Sequence, residues 1–255
     1  MEKPLGFGLN GKVVLVTGAG RGIGRAIALA CAHAGADVGL GSRHAEECEQ
    51  VAASCREEGI RAKAWTLDVS RVSSISAFVD SALNEFGRID VLVNNVGLTI
   101  VKAATELSER EFDEVSAVNF KAPFFASAMV ARSMVERGIK GAIVNISSQV
   151  GHVGGPLRAA YAGAKGGLNS LTRSLAAEWA PHGIRVTGVS PTFTRTEMLE
   201  RAALNPEFRK NFEKIPLGRP AEAEEVAAAV VYLASEAGRF VTGHTLLVDG
   251  GFTIV

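Results

Sequence analysis

The chain has 255 residues with 27 basic and 27 acidic side chains, so it lacks both the bulk basic surface of a nucleic-acid binder and an acidic tail. Hydrophobic residues make up 47%, as in an ordinary globular protein, and the cysteines Cys31, Cys48 and Cys55 form no CxxC pair and leave an odd number, which favours a reducing compartment over a disulfide scaffold. The histidines make no His-x-x-His or HExxH cluster, so no metal is expected; the opening residues MEKPLGFGLNGK hold no apolar leader core, and no uncharged apolar run nears the ~18 residues of a membrane span, so a cytoplasmic protein with no membrane partner is expected.

Glycine punctuates a repeating pattern. Residues 12–17, KVVLVT, read as a buried parallel strand, and 24–34 as an Ala-rich helix stopped by Gly35. Strands at 37–41, 63–67 and 91–94 alternate with helices at 45–58 and 72–86. A long helical region is expected over 108–137, opened by Ser108 and Glu111 as a capping box. Then come a strand at 142–146, a helix at 161–179, a strand at 185–189, a helix at 222–235 and a last strand at 245–248. Strands alternating with helices across short turns imply one domain over residues 1–255, a Rossmann-type doubly wound parallel sheet of seven strands. The stretch 192–219 is too long for a plain connection and reads as a substrate loop or lid, with a short helix near 205–212.

After the first strand comes Thr17-Gly18-Ala19-Gly20-Arg21-Gly22-Ile23-Gly24, spaced as T-G-x-x-x-G-x-G rather than G-x-G-x-x-G. Such glycines let the backbone approach a pyrophosphate at the start of a helix, so Gly18, Arg21, Gly22, Ile23 and Gly24 are candidate nucleotide contacts. The second strand ends Gly41-Ser42-Arg43, without the acid that an NAD site offers to the ribose 2′-hydroxyl. Ser42 and Arg43, with Arg21 beside them, favour the 2′-phosphate of NADP(H), with NAD(H) the alternative.

The stretch 145–165, NISSQVGHVGGPLRAAYAGAK, ends an apolar run in two serines and later sets Tyr161 and Lys165 four residues apart on one helix face. A phenol starts near pKa ~10, and an ammonium ~4 Å away at an effective dielectric of ~20 supplies ~4 kcal/mol, enough to bring it toward neutral pH. Lys165 is therefore expected to activate Tyr161 as a general acid–base group.

These motifs together resemble the short-chain dehydrogenase/reductase family over essentially the whole chain: TGxxxGxG at 17–24, Asp68-Val69, Asn94-Asn95-Val96-Gly97, Asn119, Ser148, Tyr161-x-x-x-Lys165, residues 191–196, and Val248-Asp249-Gly250-Gly251. The resemblance implies a catalytic tetrad of Asn119, Ser148, Tyr161 and Lys165, with Ser148 preferred to Ser147 for standing thirteen residues before Tyr161. It implies that Asp68 and Val69 contact the adenine, that Asn94, Asn95, Val96 and Gly97 line the cofactor cleft, and that Tyr161, Lys165, Pro191, Phe193 and Thr196 reach the nicotinamide end. It also implies a homotetramer, which the apolar end Phe252, Ile254 and Val255 would suit. There are two departures. Val96 stands where the family often has Ala, and Thr192 follows Pro191 where the family has Gly, so the turn into 192–219 loses glycine's φ freedom.

The expected reaction is hydride transfer between a nicotinamide and a small carbonyl or secondary-alcohol substrate. A sugar, polyol or sugar acid (a gluconate 5-dehydrogenase-like activity) competes with a 3-oxoacyl-[acyl-carrier-protein], and a non-catalytic NADP sensor or scaffold is the alternative of another class. Gln149, His152 and Arg158, between Ser148 and Tyr161, are candidate substrate contacts; Leu98 and Thr99 are candidates for lining the cleft.

Overall fold

Strand β1 (Val13–Thr17) is buried at every position, and a run that is apolar on both faces finds such burial only at the centre of a sheet covered on both sides. The structure, a computed structural model, describes residues 5–255, less the side chains of Met198, Ala202, Pro206 and Glu207. Among them β1 pairs in parallel with β2 (Asp37–Ser42) and β4 (Val91–Asn94). The sheet extends through β3 (Ala62–Thr66) on one side and through β5 (Ala142–Ile146), β6 (Arg185–Pro191) and β7 (Thr245–Val248) on the other. The order β3-β2-β1-β4-β5-β6-β7 reverses between β1 and β4, and that switch point opens the crevice where such sheets bind ligands. The expected doubly wound parallel sheet is the one observed.

Alternation along the strands sorts two cores. Val14 and Val16 pack with helices α1 (Gly22–His33), α2 (Ala45–Arg56) and α9 (Ala223–Ala234). Val13 and Leu15 face α3 (Val72–Phe86), α5 (Ala122–Glu136) and α6 (Ala159–Trp179).

Two regions differ from the sequence expectation. The helical region expected over 108–137 is α4 (Glu109–Ser116), a π turn at Ala117–Lys121, and α5. Ser108 and Glu111 do form the capping box, Ser108 Oγ accepting the Glu111 N–H at 3.3 Å and Glu111 Oε2 accepting the Ser108 N–H at 2.8 Å. Pro123 causes the break. It has no N–H to return to the carbonyl four residues back, and the Ala122 N–H reaches five residues back to Ala117. Within 192–219, the single expected helix is replaced by α7 (Glu197–Ala202), capped by Thr196 Oγ1 on the Leu199 N–H, then α8 (Pro206–Arg209) and a 3₁₀ turn at Lys210–Lys214.

Candidate active site

The glycine turn is built by close packing. Gly18 and Gly22 have φ of +69° and +55°, and a Cβ on Gly24 would stand 2.1 Å from the Gly18 carbonyl oxygen. Only glycine fits there. The turn is tied to β2 by the Gly18 N–H donating to the Gly41 carbonyl at 2.6 Å, and to the end of β4 by Asn95, whose Nδ2 donates to the carbonyls of Thr17 and Gly18 at 3.0 and 3.1 Å. Neither an acidic residue in the first turn nor a side-chain cap closes the start of α1, so its N–H groups face an open cradle suited to a pyrophosphate. The methyl of Thr196 lies 3.2 Å from where a Gly22 Cβ would be, which brings the 192–219 segment over the turn.

At the end of β2, Ser42 Oγ accepts the His44 N–H and donates to the His44 carbonyl, shaping the bend that presents Arg43. Arg43 and Arg21 are exposed, and neither side chain has a hydrogen bond or ion pair among the described residues. Asp68 is held below the usual carboxylate range, first by the Ser70 hydroxyl and its N–H, then by Arg71 and Arg43, so Arg43 lies within electrostatic reach of it. Val69 and Val96 line one small cavity with Thr17, joining the ends of β3 and β4.

Of the asparagine pair, Asn94 turns into the protein. Its Nδ2 donates to Ser127 Oγ and to Asn145 Oδ1, and Asn145 continues the chain to Thr172. Asn94 shares the cavity of Thr17, Val69 and Val96 while its amide is spent on a buried polar network, and Asn95 holds the glycine turn.

Ser148, Tyr161, Lys165 and Asn119 converge at the carboxyl ends of β4 and β5. The two serines part company there: Ser147 Oγ donates to the Lys165 carbonyl at 3.3 Å, whereas Ser148 Oγ lies near enough to the Tyr161 hydroxyl to pull the phenol's pKa down. Lys165 is buried, donates from Nζ to the Ile146 carbonyl at 2.7 Å, and stands 5.8 Å from the Tyr161 ring centroid. Asn119 sits in the π turn and clamps the Leu98 backbone from both sides, Nδ2 donating to its carbonyl at 2.7 Å and Oδ1 accepting its N–H at 3.2 Å. Gly97 faces this group; a Cβ there would be 3.4 Å from Asn119 Oδ1 and 3.8 Å from Lys165 Nζ.

The electrostatics differ from the sequence expectation in one respect. Burial pushes Lys165 down to about 7. Burial also pushes the Tyr161 phenol above its ordinary value, against the opposing pull of the Ser148 hydrogen bond and the Arg158 charge. Lys165 lies against the ring face with its ammonium bonded to Ile146, so desolvation of the phenol outweighs attraction to the cation.

The remaining candidates have distinct placements. Gln149 is buried, and its Oε1 accepts the Ser148 hydroxyl at 2.8 Å. His152 Nε2 is engaged by Ser190 Oγ at 2.9 Å and Asn169 Nδ2 at 3.2 Å, which anchors its loop to β6 and α6. Arg158 precedes α6, near enough to Tyr161 to act on its charge. The Phe193 ring packs with Phe208, Phe212 and Phe252 at centroid distances of 5.5 to 5.9 Å. Pro191 ends β6, and Thr192 after it keeps a φ outside the left-handed region, so the missing glycine strains nothing. One participant had no sequence signal. Leu157, at φ +61°, is the non-glycine residue in the left-handed region among the described residues, and its carbonyl accepts the Lys102 N–H at 2.9 Å, joining the two loops that border the site.

The family model described as enoyl-(acyl carrier protein) reductase matches residues 18–253. Gluconate 5-dehydrogenase of Gluconobacter oxydans is 37% identical over 255 residues, covering 100% of this chain and 99% of the relative. D-threitol dehydrogenase of Mycolicibacterium smegmatis is 40% identical over 248 residues, covering 97% and 95%. Among solved structures, a gluconate 5-dehydrogenase from Burkholderia cenocepacia in complex with NADP and tartrate aligns with a TM-score of 0.92 at 35% identity, covering 98% of each chain.

Proposed function

The chain belongs to the short-chain dehydrogenase/reductase family and is an NAD(P)-dependent oxidoreductase; from that premise we propose that it prefers NADP(H) and acts on a carbonyl or secondary alcohol of a sugar, polyol or sugar acid. The observation that carries the reading is the convergence of Ser148, Tyr161, Lys165 and Asn119 beside an open glycine cradle at the switch point. The sugar-acid and polyol classes are supported by the relatives' activities, gluconate 5-dehydrogenase and D-threitol dehydrogenase.

A bound nicotinamide supplies or accepts the hydride. Tyr161 gives the substrate oxygen its proton, and Ser148 holds that oxygen and stabilises the charge developing on it. Lys165 sets its Nζ over the ring, part-protonated near neutral pH because burial brings it down to about 7, and Asn119 fixes the Leu98 backbone at the cleft wall. Gly18, Gly22, Ile23 and Gly24 take the pyrophosphate, Asp68 and Val69 the adenine, Val96 and Gly97 the cleft floor, and Pro191, Phe193 and Thr196 the nicotinamide end.

Arg43 and Arg21, neither with a hydrogen bond or ion pair among the described residues, support the NADP(H) preference, since guanidinium forks onto phosphate. Arg43→Asp is expected to lower the NADPH-to-NADH ratio of kcat/KM by about 10–100-fold, the scale of one or two charge-assisted hydrogen bonds. Titration calorimetry with each cofactor checks this; an unchanged ratio of Kd values removes Arg43 from the site.

Two apolar surfaces support a homotetramer. Phe112 on α4, Phe120 in the π turn and Phe124 on α5 are exposed, as are Leu247 on the edge strand β7 and Phe240, Ile254 and Val255 in the segments that flank it in sequence. Light scattering should return four chain masses; a monomer contradicts this. A cytoplasmic setting is supported by three unpaired, buried cysteines, with burial pushing the Cys31 thiol to about 12 and the Cys55 thiol to about 11. No helix among the described residues is long and apolar enough to cross a membrane.

The function is tested by following NADPH consumption with 5-keto-D-gluconate, other keto-sugar acids, ketoses and a 3-oxoacyl thioester. A keto-sugar acid or ketose is expected to be the best substrate. Preference for the thioester, or inactivity across the panel with NADPH bound, contradicts the reading.

A further inference from the structure

Ser148 has one proton to give and two lone pairs to fill. The Val150 N–H approaches its oxygen at 3.4 Å, and the Tyr161 hydroxyl lies near the same oxygen without a bond as short as the one to Gln149. The proton runs to Gln149 Oε1 at 2.8 Å. Those bonds orient the Gln149 amide, with its oxygen on Ser148 and its nitrogen turned elsewhere. Gln149 Nε2 has no hydrogen-bond partner among the described residues and is not fully enclosed, so the small exposed part of a residue only 6% exposed includes this nitrogen. The residue opens the 3₁₀ turn Gln149–Gly151, directly after Ser148, so its amide stands at the edge of the reacting position.

A carbonyl oxygen seated between Tyr161 and Ser148 must draw the Ser148 proton away from Gln149, because a hydroxyl has only one. Gln149 Oε1 then loses its donor in a nearly closed setting, an unfavourable state for a buried polar group. A hydroxyl on the carbon next to the carbonyl repairs this. Its O–H donates to the vacated Oε1, or its oxygen accepts from the unpartnered Nε2. A plain ketone offers neither.

We propose that Gln149 is a specificity-determining residue that reads a hydroxyl on the carbon adjacent to the reacting carbonyl, so that the enzyme selects α-hydroxyketones and, in the oxidative direction, vicinal diols. The proposal rests on the oxidoreductase reading above and narrows its substrate class. It also gives Gln149 a second effect: the amide holds the Ser148 proton until a substrate replaces it.

The test is a matched pair differing in one hydroxyl, 3-hydroxy-2-butanone and 2-butanone, each reduced with NADPH. Polar sites reject analogues that leave their groups unpaired, so the wild-type enzyme is expected to favour the hydroxyketone by about 100-fold in kcat/KM. In Gln149→Leu the ratio should fall below about 5-fold, chiefly through loss on the hydroxyketone. Gln149→Met serves as a second apolar variant, and NADPH fluorescence reports that each variant is folded. The ratio compares two substrates on one protein, so a general structural defect does not move it. A preference that survives both substitutions, or equal turnover of the pair by the wild type, overturns the proposal. Silence toward every carbonyl, 5-keto-D-gluconate included, is instead the failure of the oxidoreductase reading.

Discussion

Tyr161→Phe is expected to lower kcat by about 10²–10⁴-fold while NADPH still binds, the range that general acid–base catalysis supplies. The phenylalanine ring keeps the packing against Lys165 but removes the hydroxyl that meets Ser148. Burial holds the phenol above its ordinary pKa in the chain by itself, so the proton is in place at neutral pH, as carbonyl reduction requires. Stopped-flow measurement of NADPH oxidation, with NADPH fluorescence as the binding control, checks the prediction. Activity within tenfold of the wild type would remove Tyr161 from the proton transfer.

Lys165→Met is expected to separate activity from stability. Turnover should fall by about 10²–10³-fold through loss of the fixed charge. Stability should rise. The folded chain holds Lys165 down at about 7, against an ordinary 10.5. Between those values the unfolded chain carries the proton and the folded chain does not, so the wild type gains stability as pH rises from about 7 to 10.5. Below pH 7 the unfavourable burial of the charge is fully present, on the order of 3–5 kcal/mol. Methionine removes it, so the variant should melt at least about 5 °C above the wild type at pH 7, with the difference shrinking as the pH approaches 10. Paired thermal melts at the two pH values read this directly; a constant difference would mean that burial does not lower the Lys165 pKa.

Much of the fold was legible because glycines and apolar runs mark the same boundaries that the backbone uses. β4, β5, β7 and α3 begin and end where their sequence patterns do. The parallel sheet follows from strands alternating with helices across short turns, and the nucleotide cradle from glycines that no other residue can replace, Gly24 most plainly. The missing features arise from tertiary packing. The π turn that presents Asn119 depends on one absent N–H at Pro123, which looks harmless near the start of a helix. Asn94 and Asn95 are neighbours in a strand end, so their side chains part to opposite sides, and sequence alone does not say which meets the glycine turn. The Tyr161–Lys165 spacing fixes that the two side chains meet, while the depth of the site decides the sign of the tyrosine's shift. Leu157 adopts its left-handed backbone without a glycine or asparagine to announce it.

The most direct test of the account is transfer of isotope from cofactor to substrate. The enzyme is supplied with NADPH carrying deuterium at both positions of the dihydronicotinamide C4 and with 5-keto-D-gluconate, and the product is analysed by mass spectrometry and NMR. The account predicts one deuterium in each product molecule, carried on the new carbinol carbon, with one NADPH consumed per alcohol formed. Product without deuterium at that carbon, or no product from any keto-sugar acid or ketose with the cofactor bound, would contradict it.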